Sequence, residues 1–167
     1  TTDDTTDKQP VLLITGGKIT VNADGDGLDS NGDLRVEGGD ITVNGPSNGG
    51  NGAIDIGTEN GGAGVIAGGT LIALGTSSMA ENFGSTSTQC AFPVTMNSFG
   101  AGETITITDS QGTVLYTGVT VKSANSVVFS SADLVVGETY TVTIGSNSAT
   151  VTQSSTVVGL SLIHISE

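Results

Sequence analysis

The stretch GGKITV at residues 16–21 returns as GGDITV at residues 38–43 and as GGTLIA at residues 68–73. Each copy joins two glycines to a short, mostly β-branched strand, and the spacing between copies is 22 and then 30 residues. A phrase that returns at such distances is typical of a solenoid whose coils each hold two or three short strands. A meander of antiparallel hairpins would also suit short strands and glycine turns, but it does not require the same phrase to recur. The repeat therefore predicts a parallel β-helix.

The composition favours β structure along the whole chain. Its 167 residues include 26 glycines, and glycine interrupts nearly every apolar run, so no stretch keeps the apolar spacing of a helix. The length suits a single domain, or one domain with a small appendage. We expect an all-β protein with almost no helix.

The sequence changes in character at about residue 86, and this change divides the chain. Before it lie a polar leader at residues 1–10 and the β-helix coils at residues 11–85. After it, longer alternating runs with fewer glycines predict an antiparallel β cap or small sheet at residues 86–155. Residues 156–167 form a tail ending in LSLIHISE, which is similar to a translated adaptor sequence. The tail is either such a non-native addition or an ordinary final strand.

Two local features of the antiparallel region are also predicted. Residues 109–112 close a hairpin with a four-residue turn between two alternating runs. Tyr140 follows a turn at residues 134–137, a position where a tyrosine hydroxyl bonds back to the turn in many β-sandwich domains.

The charge of the chain excludes several partners. Seventeen acidic residues against four basic ones give a formal charge of −13, which repels phosphate backbones and anionic membrane surfaces. No apolar run approaches the roughly 20 residues that a membrane-spanning helix needs. We therefore expect no nucleic-acid partner and no membrane insertion. The one cysteine, Cys90, has no second cysteine for an internal disulfide, and we expect it in the core.

Eight of the acids fall between residues 24 and 59, where only Arg35 opposes them. Carboxylates on stacked coils repel each other unless a cation lies between them. Oxygen ligands on flexible glycine turns favour calcium, which takes roughly 6–8 oxygens, whereas one cysteine and one histidine are too few for a zinc site. The predicted calcium ligands are Asp24, Asp26, Asp29, Asn31, Asp33, Asn51 and Asp55.

Known calcium motifs match this stretch only in part. An EF-hand loop that begins at Asp29 would have Leu34 where glycine is needed and Asp40 where the bidentate glutamate belongs. A calcium-binding nonapeptide repeat is approached at residues 49–53, but its aspartate comes one place late. The alternative is that these acids are solvated turn formers that bond their own backbone.

The sequence offers no convincing catalytic group. A Ser–His pairing would depend on His164, which lies in the tail. A calcium-assisted lyase needs a basic side chain, and Arg35 is the only base near the acids; the alternative is that Arg35 neutralises Asp33, Glu37 or Asp55. Glycoside hydrolysis by paired carboxylates stays open, because their separations are not visible in sequence.

The phrases ITGGKITV at residues 14–21, GDGLDSNGDLRVEGGDITV at 25–43 and PSNGGNGAID at 46–55 follow one another in a specific order. In this order they resemble the calcium-binding, carbohydrate-binding β-helix family of cellulolytic bacteria, formerly a domain of unknown function with a pectate-lyase-like fold. The resemblance spans about residues 11–145 and implies a right-handed parallel β-helix followed by a C-terminal antiparallel β segment.

The resemblance also implies a function. It implies calcium on Asp26, Asp29 and Asp55, and less directly on Asp24 and Asn51. It implies a bacterial protein, secreted to the extracellular space or the cell surface, that binds plant polysaccharide of the cellulose or pectin type without cleaving it. Two alternatives stay open: a pectate-type polysaccharide lyase, and a structural or filament-forming surface protein. Because members of that family carry further coils before the first Gly-Gly phrase, we expect an uncapped N-terminal coil through which copies could associate.

Overall fold

The computed structural model describes residues 10–159 and the backbone of residues 163–166. Most of the predicted leader (residues 1–9) and part of the predicted tail (residues 160–162 and 167) lie outside the described residues. The prediction of an all-β chain is confirmed. The strands are β1 Val11–Asn22, β2 Leu28–Ser30, β3 Asp33–Asn44, β4 Ile54–Ile56, β5 Gly64–Ile66, β6 Thr70–Gly75, β7 Ala91–Phe99, β8 Thr104–Thr108, β9 Val114–Val119, β10 Ala124–Ser130, β11 Thr139–Ile144, β12 Asn147–Thr152 and β13 Ile163–Ser166.

The helical content of the described residues is two single turns of 3-10 helix, at Thr58–Asn60 and Ser77–Met79. Within that part of the chain no helix is long and apolar enough to span a membrane.

The repeated Gly-Gly phrases lie side by side in parallel strands. β1 pairs with β3, and β3 pairs with β5 and β6, so that Ile19, Ile41 and Leu71 are neighbours across three strands. A separate two-stranded sheet joins β2 to β4, also in parallel. The parallel pairing expected between the strands at Ile19 and Ile41 is therefore present.

Alternation along these strands explains why they form a core. Leu34, Val36, Ile41 and Val43 on β3 are at most 1% exposed, while the residues between them are partly or fully exposed. Successive strand residues point to opposite faces, so this spacing puts every second side chain into one apolar cluster. That cluster also contains the buried side chains of β2 and β4.

In the second phrase the two glycines serve different needs. A Cβ on Gly38 would lie 2.6 Å from the Thr15 carbonyl oxygen of the neighbouring strand. Gly39 instead has a φ of 107°, a conformation that side chains disfavour. Close approach between strands requires the first glycine, and the bend of the backbone requires the second.

The main sheet is mixed rather than wholly parallel. Beyond β6 it continues with the antiparallel strands β10 and β7, in the order β1-β3-β6-β10-β7. The described residues therefore do not form a closed solenoid of parallel coils. Two strands from the region predicted as a cap, β7 and β10, are built into the main sheet.

A second sheet, entirely antiparallel, has the order β13-β12-β11-β8-β9. It packs on the β6-β10-β7 part of the main sheet through Phe92, Phe129 and Tyr140, which are at most 1% exposed. The predicted hairpin joins β8 to β9, where Gly112 has a positive φ and the Asp109 carboxylate accepts hydrogen bonds from the backbone N–H groups of Gln111 and Thr113. Strand β13, in the predicted tail, pairs with β12.

Candidate functional site

Three of the predicted calcium ligands lie together where β2 meets β4. Asp29 on β2 and Asp55 on β4 are register partners in neighbouring parallel strands. Asp26, just before β2, lies close enough to Asp55 for its charge to raise the pKa of Asp55. One oxygen of Asp26 also accepts a hydrogen bond from the backbone N–H of Gly52 at 2.8 Å.

Sequence reasoning missed a fourth acid, Glu81. Its Oε2 accepts a hydrogen bond from the backbone N–H of Ile56 at 2.9 Å, and the charge of Asp55 acts on its carboxyl group. Glu81 lies 22 residues beyond Glu59, which is the last of the eight acids between residues 24 and 59. Its position in the sequence therefore gave no sign that it would lie beside them in the fold. We refer to Asp26, Asp29, Asp55 and Glu81 as the acidic cluster.

The acidic cluster perturbs its own titration. Burial raises the pKa of Asp55 above its ordinary value, and the charge of Asp26 raises it further. Burial likewise raises the pKa of Glu81, to which the charge of Asp55 adds, although the hydrogen bond from Ile56 opposes the shift. Carboxylates that raise one another's pKa repel each other in their charged forms, and a bound cation or proton would reduce this repulsion.

Two of the three basic residues in the described part of the chain, Arg35 and Lys122, form ion pairs outside the acidic cluster, and the third, Lys18, lies on β1. The ion pairs in this part of the chain join Arg35 to Glu37 and Lys122 to Asp24, each with an N–O distance of 3.0 Å. Asp24 is therefore paired with Lys122, whose ammonium also donates to the Ala23 carbonyl oxygen, and it does not join the acidic cluster.

The remaining predicted ligands bind neighbouring turns. Asp33 accepts a hydrogen bond from the Ala63 N–H at 2.8 Å, and the Asn51 amide donates to the Asn48 side-chain oxygen at 3.3 Å. The side chain of Asn31 is exposed. Asp33 therefore bonds a segment 30 residues later and Asn51 bonds a side chain of its own loop, so neither contact is the bonding of its own backbone that was the alternative to calcium.

The geometry of the acidic cluster sets a condition on metal binding. No group of three or more His, Cys, Asp or Glu side chains among the described residues is placed to hold a metal ion. Calcium at the acidic cluster would therefore require its exposed or half-buried side chains to turn toward a common point.

An open cleft of about 320 Å³ lies nearby, and its lining is polar but uncharged. Seven of its nine lining residues carry a hydroxyl or amide side chain, in a protein whose net charge is −13. The lining residues are Ser47, Gly49, Thr76, Ser77, Ser78, Ser98, Ser123, Ala124 and Asn125. We call this the serine cleft. Sequence analysis named no ligand-binding residue, and isolated serines in a serine-rich chain give no signal that they will converge.

One loop connects the serine cleft to the acidic cluster. Residues 45–53 run between β3 and β4; Ser47 and Gly49 line the cleft, and Gly52 is held by the Asp26 carboxylate. Thr76, on the opposite wall, donates to the carbonyl oxygens of Asn48 and Asn51. A change at Asp26 therefore acts on the loop that forms one wall of the cleft.

The other residues singled out by the sequence have structural roles. The Arg35 guanidinium is bound by Glu37, one of its three predicted partners. The interpretation of Tyr140 as a turn lock is confirmed, because its hydroxyl oxygen accepts a hydrogen bond from the Val135 N–H at 2.7 Å. Cys90, which was expected in the core, packs against it and is half-buried. The structure describes only the backbone of His164.

The comparisons with known proteins identify no family for this chain. No protein-family model, no curated protein and no solved structure matches it.

Proposed function

We propose that this chain is a non-catalytic module that binds plant cell-wall polysaccharide, of the cellulose or pectin type, in the serine cleft and in a calcium-dependent way. The observation that carries the proposal is the neutral, hydroxyl-rich cleft in a strongly acidic protein. Sugars present hydroxyl groups that both donate and accept hydrogen bonds, and serine, threonine and asparagine side chains do the same.

The cleft is suited to binding rather than bond cleavage. Its nine lining residues include no acid, base, histidine or cysteine. General acid–base chemistry requires such a group within hydrogen-bonding reach of the reacting atoms. A polysaccharide chain in this cleft would be held by hydroxyl and amide groups and left intact.

Calcium enters the proposal through the loop at residues 45–53. Asp26, Asp29, Asp55 and Glu81 supply the hard oxygen ligands that calcium prefers. An ion bound there would offset part of the negative charge of the acidic cluster and fix Asp26, which holds Gly52 and with it the wall of the cleft. Calcium would thereby order the saccharide site without touching the sugar.

We extend the proposal to the fold and its setting. The in-register parallel pairing of β1, β3 and β6, and of β2 with β4, supports a short right-handed parallel β-helix of the calcium-binding, carbohydrate-binding family of cellulolytic bacteria. Such a protein would act outside the bacterial cell or on its surface, where plant polysaccharide is found.

Retention on insoluble polymer tests the proposal. The full chain is mixed with insoluble cellulose, with calcium present or with a chelator, and separately with calcium-bridged polygalacturonate in the presence of calcium. We expect retention with calcium and its loss with chelator, together with a calcium-dependent rise in melting temperature, because a ligand that binds only the native state stabilises it. An unchanged melting temperature after chelation would contradict the calcium part.

Matched serine variants locate the binding site. Ser78→Phe puts a ring into the cleft from an exposed position, whereas Ser110→Phe makes the same change at an exposed serine of the β8–β9 turn. We expect the first to abolish retention and the second to preserve it. Equal retention of both variants would place the sugar elsewhere.

An absorbance assay for unsaturated uronides, run on the same samples, addresses the lyase alternative. Product that disappears in Arg35→Ala would establish a lyase and overturn the binding-module proposal.

A further inference from the structure

Strand β1 is an open edge of the main sheet. Along its outer side it has no partner strand among the described residues, although it is 12 residues long and contains no proline. The opposite edge strand, β7, is protected, because Pro93 has no N–H to donate and Ala91 is bridged to Val157. The main sheet therefore has room for another strand at β1.

The core-facing side chains of β1 are incompletely covered. Leu12, Ile19 and Val21 pack against the apolar cluster but are only partly buried. Their register partners Leu34 and Ile41, one strand further in, are 0% and 1% exposed. A strand added outside β1 would give these side chains the cover that β1 gives to β3.

Gly16 points to the same conclusion. Its counterparts Gly38 and Gly68 are glycines because a Cβ there would strike the backbone oxygen of Thr15 or Glu37 on the adjacent strand. A Cβ on Gly16 would meet nothing within 4 Å, and the φ of Gly16 is not positive. The described residues of the protomer thus give no reason for this glycine, whereas a backbone that packs outside β1 does.

We propose that β1 pairs antiparallel with β1 of a second copy, about a two-fold axis that passes between Gly16 and Gly17. Leu12 and Val21 lie equally far from that axis, as do Ile14 and Ile19. Leu12 of one copy therefore faces Val21 of the other, and Ile14 faces Ile19. All four side chains belong to the core-facing set, so the interface is self-complementary, as a two-fold contact requires.

Charge favours this edge over the rest of the surface. The chain has 17 acids, but β1 contains none, and its one charged residue is Lys18. Two copies with a charge of −13 each repel one another least when they meet along β1. Because β7 is protected, the pairing closes as a dimer and does not continue as a filament.

Cysteine cross-linking tests both the pairing and its register. Leu13 and Thr20 are exposed, and the proposed register places Leu13 of one copy opposite Thr20 of the other. Within one copy they are roughly 20 Å apart along the strand, too far for a disulfide. In a Cys90→Ser background, oxidation of the Leu13→Cys, Thr20→Cys double variant should give a covalent dimer. Each single variant should give little, and Cys90→Ser alone serves as the folding control.

Sedimentation velocity on the unmodified chain provides the second readout. We expect a species of about twice 16.5 kDa, and at least a tenfold weaker association for Ile19→Lys than for the matched control Met79→Lys, at an exposed site away from β1. A monomer at all concentrations, equal cross-linking of the single variants, or species that grow beyond the dimer would each overturn the proposal. These results are independent of retention on polysaccharide, so the two proposals fail separately.

Discussion

Glycine has a different role in the parallel strands than in the antiparallel sheet. In the parallel part, a Cβ on Gly38, Gly57 or Gly68 would strike the backbone of a neighbouring strand or turn. In the antiparallel part, Gly102 and Gly112 have nothing within 4 Å of such a Cβ, but both have a positive φ. Close packing of backbones therefore constrains glycines of the parallel part, which also has positive-φ glycines such as Gly39, whereas at Gly102 and Gly112 only the conformation of the turn requires glycine.

The two cores differ in the same sense. The parallel core is filled by aliphatic side chains, with Phe83 as its aromatic residue. The core between the two sheets contains Phe92, Phe129 and Tyr140, whose rings pack on one another. We therefore expect the loss of one large side chain to reduce stability most in the core between the two sheets. In the parallel part, we expect the largest losses where an added Cβ would collide with a neighbouring backbone atom.

The largest expected effect comes from Phe129→Ala. Phe129 is fully buried on β10 and its ring contacts Phe92 and Tyr116. Removing a buried ring costs about 3–5 kcal/mol through lost burial and the cavity that remains. Chemical denaturation should show this loss, while Val119→Ala, at an exposed site, should stay within about 0.5 kcal/mol. A loss near that of the control would show that the intersheet core is not what holds the sheets together.

Substitutions at Gly68 and Gly102 sharpen the comparison of the two regions. At Gly68 a side chain strikes the Glu37 carbonyl oxygen, so we expect Gly68→Ala to cost about 1–3 kcal/mol and Gly68→Asn to cost more. At Gly102 only the positive φ matters, and asparagine tolerates that conformation better than alanine does. Gly102→Asn should therefore be more stable than Gly102→Ala. The same order of stability at both sites would refute the distinction.

A smaller effect is expected for Tyr140→Phe. It removes the hydroxyl that accepts the Val135 N–H but keeps the buried ring. The expected loss is about 0.5–1.5 kcal/mol, the net value of one hydrogen bond. Tyr116→Phe is the matched control, because it makes the same change at a half-buried tyrosine outside that turn. Equal melting curves for wild type and Tyr140→Phe would show that the hydrogen bond between Val135 and Tyr140 does not stabilise the fold.

The smallest effect is a pH dependence in the acidic cluster. Burial raises the folded-state pKa of Asp55 and Glu81 above their ordinary values of 3.8 and 4.5, so the folded state holds these protons more tightly than the unfolded state. The stability from this pair is present at low pH and is lost as pH rises through the folded-state pKa values.

Denaturation at a series of pH values in chelator measures that dependence. Relative to the Asp55→Asn, Glu81→Gln double variant, the wild type should lose stability as pH rises above the ordinary pKa values of 3.8 and 4.5 and through the raised folded-state pKa values. Calcium should reduce the difference, because a bound cation replaces the proton. Identical pH profiles for the two proteins would contradict the coupling.

The sequence predicted those parts of the fold that repeat or are local. The Gly-Gly phrase predicted the parallel neighbours Ile19 and Ile41, because identical coils stack in register. Residues 109–112 and Tyr140 were predicted from turn chemistry that acts over a few residues. In each case the determining contact is either repeated or close in sequence.

Contacts between distant and dissimilar segments were not predictable in this way. Nothing in β10 specifies that it pairs with β6 rather than with another strand of the antiparallel region. Asp24 was expected among the calcium ligands, but Lys122 reaches it from 98 residues away. Glu81 and the serine cleft also depend on contacts between distant segments. The sequence therefore predicted the three aspartates of the acidic cluster but neither Glu81 nor the cleft.

The pairing of β6 with β10 also bears on how the chain acquires its structure. Leu74 on β6 is a register partner of Val127 on β10, 53 residues later. During synthesis one side of β6, the last parallel strand, therefore stays unpaired until the polypeptide beyond residue 130 has emerged. The chain must lose the entropy of closing this long loop before the contacts between β6 and β10 can stabilise it, and this slows folding. Because β6 and β10 belong to different regions, their pairing also couples the two regions into one cooperative transition. Truncation before β10 would leave the Gly-rich strands as an aggregation-prone nascent chain rather than a smaller folded protein.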